Sequence, residues 1–121
     1  MLATAELVAG VTVLAASSAA TDADTLRETG DWLRDKLGSG IVVLGGILPG
    51  KDGDRPSVIV MVTPDLVDRG FNAGDIVKAA AARMGGGGGG RPHLAQAGGR
   101  EPSQLADALR AAVDAVRERA G

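Results

Sequence analysis

At 121 residues, with 45% hydrophobic and 23% charged side chains, the composition excludes a disordered or fibrous chain and fits one self-supporting domain spanning residues 1–121. The absence of cysteine and a single histidine, His93, exclude a disulfide framework, thiolate chemistry and a cysteine or multi-histidine metal site. A net charge of −2, taken alone, argues against a strongly basic nucleic-acid binder.

The first apolar stretch, LVAGVTVLAASSAA, ends in small residues as a signal peptide would. It lacks a positive start, Glu6 precedes it, and Gly10 and Thr12 interrupt it, so Glu6–Ala15 is predicted as a strand with Ser17–Thr21 as its exit. No apolar run approaches the ~20 residues of a membrane helix. A soluble, cytoplasmic protein with no membrane partner is expected.

Thr21 with Asp24 has the spacing of a capping box, opening a helix to about Leu37 whose inner face carries Leu26, Gly30, Leu33 and Leu37. A glycine at that position costs about 1 kcal/mol against alanine, which points to close approach to a sheet. Trp32 lies off the stripe and is expected to be partly buried rather than an RNA-stacking side chain. Ile41–Leu48 is apolar throughout, as a strand covered on both faces would be. PGKDGDRP makes an exposed turn into Ser57–Thr63, which returns antiparallel. The first strand, helix and second strand form a parallel crossover.

DLVDRGF is predicted as a loop with a short helical turn, and Asn72 as the cap of a helix to about Met84 with Ile76, Val77, Ala80 and Met84 inward. Lys78 and Arg83 then face solvent. The segment GGGGGGRPHLAQAGG, Gly85–Gly99, follows. It holds eight of the nineteen glycines beside Arg91, and its flanks point to a structured loop rather than a tether. Amides without flanking Cβ atoms can converge on an anion, and an arginine supplies a matching donor fork. The pattern lacks the Gly-Lys-Ser/Thr of a nucleotide-hydrolysing loop and does not open a helix after a strand. Leu94–Ala97 is predicted as a short strand. Glu101 and Pro102 start a last helix with Leu105, Leu109, Ala112, Val113 and Val116 inward.

GGGGGGRPHLAQAGGREPSQLADAL resembles the signature of the C-terminal globular domain of alanyl-tRNA synthetases, Gly-Gly-x-Gly-Gly-Gly-Arg-Pro-Asp-x-Ala-Gln-Ala-Gly-Gly-x-Asp-Pro. The upstream blocks LRETGDWLRDKLGSGIVVLGG, SVIVMVTPDL and NAGDIVKAAA are similar to the same domain in the same order. A related domain accompanies DHH-family phosphoesterases, where histidine and proline usually follow the glycines. Two positions depart from the synthetase pattern: Gly87 stands where lysine is frequent, and His93 where aspartate is usual.

The expected fold is α/β, a small mixed β-sheet of about four strands packed with three main helices. The resemblance implies a non-catalytic accessory module that grips the outer corner of tRNA, expected to be tRNA-Ala, and supports aminoacylation and editing by other domains. No catalytic residue, metal or cofactor is expected here. The candidate RNA-binding residues are Lys78, Arg83, Gly88, Gly89, Gly90, Arg91, Gln96 and Arg100. Charge is modestly asymmetric, which fits an ordinary solvated surface as well as an RNA-facing one: Arg69–Arg110 holds six Arg or Lys against three Asp or Glu, leaving +3, while the remainder holds seven against twelve, leaving −5. Arg91 can instead brace the loop from within, and Gln96 can satisfy backbone groups. The alternatives are the substrate-holding domain of a DHH-family phosphoesterase and an oligomerisation module, with a possible homodimer.

Overall fold

A computed structural model of the chain describes residues 2–8, 10–18, 22–50 and 53–120, with backbone alone for residues 2–6 and 120. In chain order the elements are β1 (Leu2–Val8), β2 (Val11–Ser18), α1 (Ala23–Leu37), β3 (Ile41–Leu48), β4 (Arg55–Val62), α2 (Pro64–Asp68), α3 (Ala73–Met84), β5 (Gly87–Gly90), β6 (Leu94–Gly98) and α4 (Leu105–Ala120). A short 3-10 turn, Pro102–Gln104, leads into α4.

The strands make one mixed sheet in the order β1-β2-β3-β4-β6-β5; β2 and β3 are parallel and every other neighbouring pair is antiparallel. The continuous apolar run of β3 reflects cover on both faces. Ile41 and Val43 pack with Val58, Val60 and the inner sides of α3 and α4, whereas Val42 and Leu44 pack with Ile59, Met61 and Leu26 and Leu33 of α1. Helix α1 therefore covers one face and α3 with α4 the other. Gly30 lies where a Cβ would stand 2.8 Å from Met61 Cε, the close approach its helical position predicted.

The sheet has six strands rather than about four, for two reasons. The predicted strand Glu6–Ala15 is a hairpin: Val8 pairs with Val11, and Gly10 at φ +87° allows the reversal between β1 and β2. The glycine run, expected as a loop, supplies β5. The three main helices, α1, α3 and α4, fall where predicted, with α2 as the short turn after Thr63.

Thr21 lies outside the described residues, and α1 is capped by Asp22, whose Oδ1 accepts from the Thr25 amide at 2.7 Å. Asn72 caps α3 as predicted, accepting from the Asp75 amide at 3.2 Å. Trp32 is 56% exposed, not partly buried as expected; its position off the Leu26–Gly30–Leu33 stripe turns it to solvent, where Lys36 Nζ stands 5.5 Å from the ring centre.

Asp65 ties two loops on the same end of the sheet. Ser39 and Thr63 donate their hydroxyls to its carboxylate, and the Gly40 amide donates to Thr63 Oγ1 at 3.0 Å. The Ser39 bond, then the Thr63 bond, hold the Asp65 carboxyl below its ordinary 3.8. The Thr25 backbone bond, then its hydroxyl, do the same for Asp22. A depressed folded-state value means the unfolded chain binds more protons in the acid range, so this stabilisation is present above about pH 4 and is lost as pH falls through the folded value. In urea unfolding across a pH series, the difference between wild type and Asp65→Asn is expected to hold constant above about pH 5 and to shrink towards zero at lower pH.

Candidate nucleic-acid interface

Strand β5 is built from backbone alone. It forms the sheet edge, all four residues are exposed, and it pairs with β6 through Gly87 with Gly98, Gly88 with Ala97, Gly89 with Gln96 and Gly90 with Ala95. Alternate glycines have different reasons to be glycine. A Cβ on Gly88 would come within 2.5 Å of Ala97 Cα and Gln96 O, and one on Gly90 within 2.6 Å of Ala95 Cα; at Gly86 it would collide with Gly98 O. Gly87 and Gly89 have nothing within 4 Å of that position. The amides are thus spread along a strand, pointing alternately towards and away from β6, and do not converge as a loop cradle would.

The two faces of the β6–β5 pair differ. Ala95 and Ala97 are buried under α3, whose first turn approaches so closely that a Cβ on Gly74 would stand 3.3 Å from Gly90 O. On the opposite face α1 packs over β2, β3 and β4, which leaves Gln96 exposed and Leu94 half-buried. The turn from Arg91 to His93 is pinned at three points. The Arg91 amide donates to Leu94 O at 2.9 Å, Val62 donates to His93 O at 3.0 Å, and Ala73 donates to Pro92 O at 2.8 Å. A fixed backbone thereby carries three exposed side chains.

Here an open cleft of about 460 Å³ lies between α1 and the hairpin, rimmed by Arg27, Arg91 and His93 and floored by Ile59, Leu94, Gln96 and the Gly89–Gly90 backbone. Arg91 is exposed, not a buried brace, and no described carboxylate pairs with it. Gln96 donates from Nε2 to Ser57 Oγ at 3.3 Å, a side-chain rather than a backbone partner. Ser57 in turn lines a second cleft of about 460 Å³ at the other end of the hairpin, with Arg55, Gly87, Gly98 and Arg100.

The structure brings Gly89, Gly90, Arg91 and Gln96 into one cleft and Arg100 into the other. Gly88 lines neither. Lys78 and Arg83 are exposed on α3, which packs on the face opposite α1, so they do not join Arg91 in the cleft. Arg27 and Arg55 were missed. Both are remote from the glycine segment in sequence, and only the crossover and the β4–β6 pairing bring them close. Among the described residues no group of three His, Cys, Asp or Glu is arranged to hold a metal, and no helix is long and apolar enough to cross a membrane.

Residues 10–118 match the DHHA1 domain family. The chain belongs to this family. This DHHA1 domain is 52% identical over 114 residues to the alanine–tRNA ligase of Chloroflexus aurantiacus, covering 94% of this chain and 12% of that protein. It is 49% identical over 121 residues to the ligase of Roseiflexus castenholzii, covering 100% of this chain and 13% of that one. The chain thus spans only 12% and 13% of the length of these curated relatives, and it corresponds to their C-terminal domain rather than their catalytic region. In fold it is similar to the C-Ala domain of Aquifex aeolicus alanyl-tRNA synthetase, with a TM-score of 0.76 at 24% identity over 94% of this chain and 98% of that one. The DHH domain of a member of a ribosomal-protein family shares the fold at TM-score 0.62 and 13% identity, over 96% of this chain and 28% of that one.

The alternation in β5 has a measurable consequence. Gly88→Ala is expected to destabilise the domain by about 1–3 kcal/mol, because the methyl group must displace β6 backbone. Gly87→Ala is expected to be neutral or to stabilise by up to about 1 kcal/mol through the unfolded chain. Urea midpoints of the two variants check both signs.

Proposed function

We propose that this DHHA1 domain is a non-catalytic tRNA-binding module of a cytoplasmic alanine–tRNA ligase. It contacts the outer corner of tRNA-Ala and so supports aminoacylation and editing by the catalytic domains. The observation that carries this reading is the gathering of Arg91, Gln96 and bare strand backbone on an open sheet face, in a chain 52% identical to part of such a ligase.

Arg91 contacts phosphate, and the glycine backbone lets sugar or base edges approach without side-chain obstruction. Arg100 extends the positive surface through the second cleft. Lys78 and Arg83 contribute from the α3 side, as phosphate contacts beyond the edge strand, and Gly88 contributes by keeping that strand bare. Recognition of this kind is mainly by shape, since Gln96 is the one floor side chain with a hydrogen-bonding head group.

The substrate-holding role in a DHH-family phosphoesterase has weaker support, because the likeness to the DHH domain is one of fold alone. A homodimer is compatible with tRNA binding. Sedimentation with and without tRNA separates self-association from RNA binding, and tight dimers that ignore tRNA would favour an oligomerisation module.

The decisive measurement is titration of labelled tRNA-Ala at two salt concentrations. Wild-type affinity is expected to fall steeply with salt. Arg91→Ala is expected to lose about 1.5–3 kcal/mol, roughly ten- to hundredfold in Kd; equal affinity for the two proteins would remove Arg91 from the site. Gly87 has open space at its Cβ position, so Gly87→Lys is expected to fold normally, bind more tightly and steepen the salt dependence by about 0.7–0.9 of a unit.

A further inference from the structure

We infer that Arg27 of α1 is a second phosphate contact of the first cleft, placed on the wall opposite Arg91, so that one nucleotide of an unpaired or looped RNA segment is gripped across the cleft. This rests on the tRNA-binding reading above and adds to it a ligand unit and a residue.

Arg27 rides on a rigid support. Its neighbour Leu26 is fully buried and Gly30 is pressed against Met61, so α1 is seated on the sheet at the turn that carries the guanidinium. The side chain is exposed and lines the cleft with Arg91 and His93. Its charge is available. Asp31, one turn further on, is engaged by Arg34 at 3.3 Å, and Arg34 also meets Asp35 at 3.6 Å, whereas no described carboxylate pairs with Arg27. Arginine on both sides of a gap suits a group with several acceptor oxygens, and the planar forks can approach it from two directions.

The size and floor of the cleft indicate more than a phosphate. About 460 Å³ falls in the range of pockets that take an organic ligand, roughly 300–1,000 Å³. The floor combines half-buried Leu94, over the buried Ile59, with exposed side-chain-free backbone at Gly89–Gly90, a surface on which a flat ring can lie. Gln96, which also lines the cleft, keeps a carbonyl oxygen that accepts from no described donor, while its amide nitrogen is steadied by Ser57. A base on the floor, its edge against Gln96 and its phosphate between Arg27 and Arg91, uses all of these groups. Regular duplex cannot offer this, because its bases are stacked and paired.

The test titrates a tRNA-Ala transcript and a blunt RNA duplex against wild type, Arg27→Ala, Arg27→Lys and Lys36→Ala at several salt concentrations. Lys36→Ala removes the same charge from α1 outside the cleft. For tRNA, Arg27→Ala is expected to weaken binding about tenfold and to flatten the slope of log Kd against log salt by slightly less than one. Arg27→Lys is expected to recover the slope, and Lys36→Ala to stay within about twofold of wild type. On the duplex, Arg27→Ala and Lys36→Ala are expected to match. Arg27→Ala behaving like Lys36→Ala on tRNA, while Arg91→Ala still loses affinity, would overturn this inference and leave the tRNA-binding reading standing. An equal Arg27→Ala loss on the duplex would overturn the nucleotide grip. Wild type that ignores tRNA would overturn both.

Discussion

The pairing of a side-chain-free strand with β6 is the constraint on which the rest of the site depends. At Gly86, Gly88 and Gly90 the space of a Cβ is already occupied by the backbone of Gly98, Ala97 and Ala95. Only glycine allows that approach, and its consequence is an edge strand thin enough for the first turn of α3 to settle against Gly90. Glycine is normally a poor strand residue, since it loses the most backbone entropy and offers nothing to pack. Here the cost is offset from outside the strand, by α3 on one face and by the ladder to β6.

That arrangement also explains how exposed cations can be held in place. Long charged side chains on a mobile loop would lose much of any interaction energy to ordering. The turn bearing Arg91 instead donates or accepts backbone bonds to β6, β4 and the start of α3, so the freedom left to Arg91 is that of its side chain. Arg27 sits on a helix docked through Leu26, Gly30 and Leu33. Overall charge is −2, yet cations from separate elements come onto one open surface.

Much of this was legible in the sequence wherever a local pattern had one structural solution. The unbroken apolar run of Ile41–Leu48, the Asn72 cap and the stripe of the last helix all translated directly into β3, α3 and α4. The glycine run did not, because glycine carries no strand signal; its pairing is imposed by β6 and α3. In sequence Gly10 looks like an interruption within one strand, whereas its positive φ makes it a reversal. A lone tryptophan is more often packed than exposed, but helical geometry places Trp32 off the buried stripe, and that decides its exposure. The site divided in the same way. Arg91, Gln96, Gly89 and Gly90 are close in sequence and remain close in space, whereas Arg27 reaches them only through the β2–α1–β3 crossover and the order of β4 and β6.

An uncovered face of this kind sets what recognition it can support. Each exposed cation contributes modestly in water and is screened by salt, so affinity has to come from several contacts made together. Such contacts follow the positions of phosphates and carry no sequence information. Apart from Gln96, the floor is apolar or bare backbone, with few groups able to distinguish one base from another. On the proposed reading, then, the domain senses the fold of its RNA more than its sequence. The discriminating element is the spacing of cations around a flat glycine surface, and that spacing is fixed by where α1 ends its cover of the sheet.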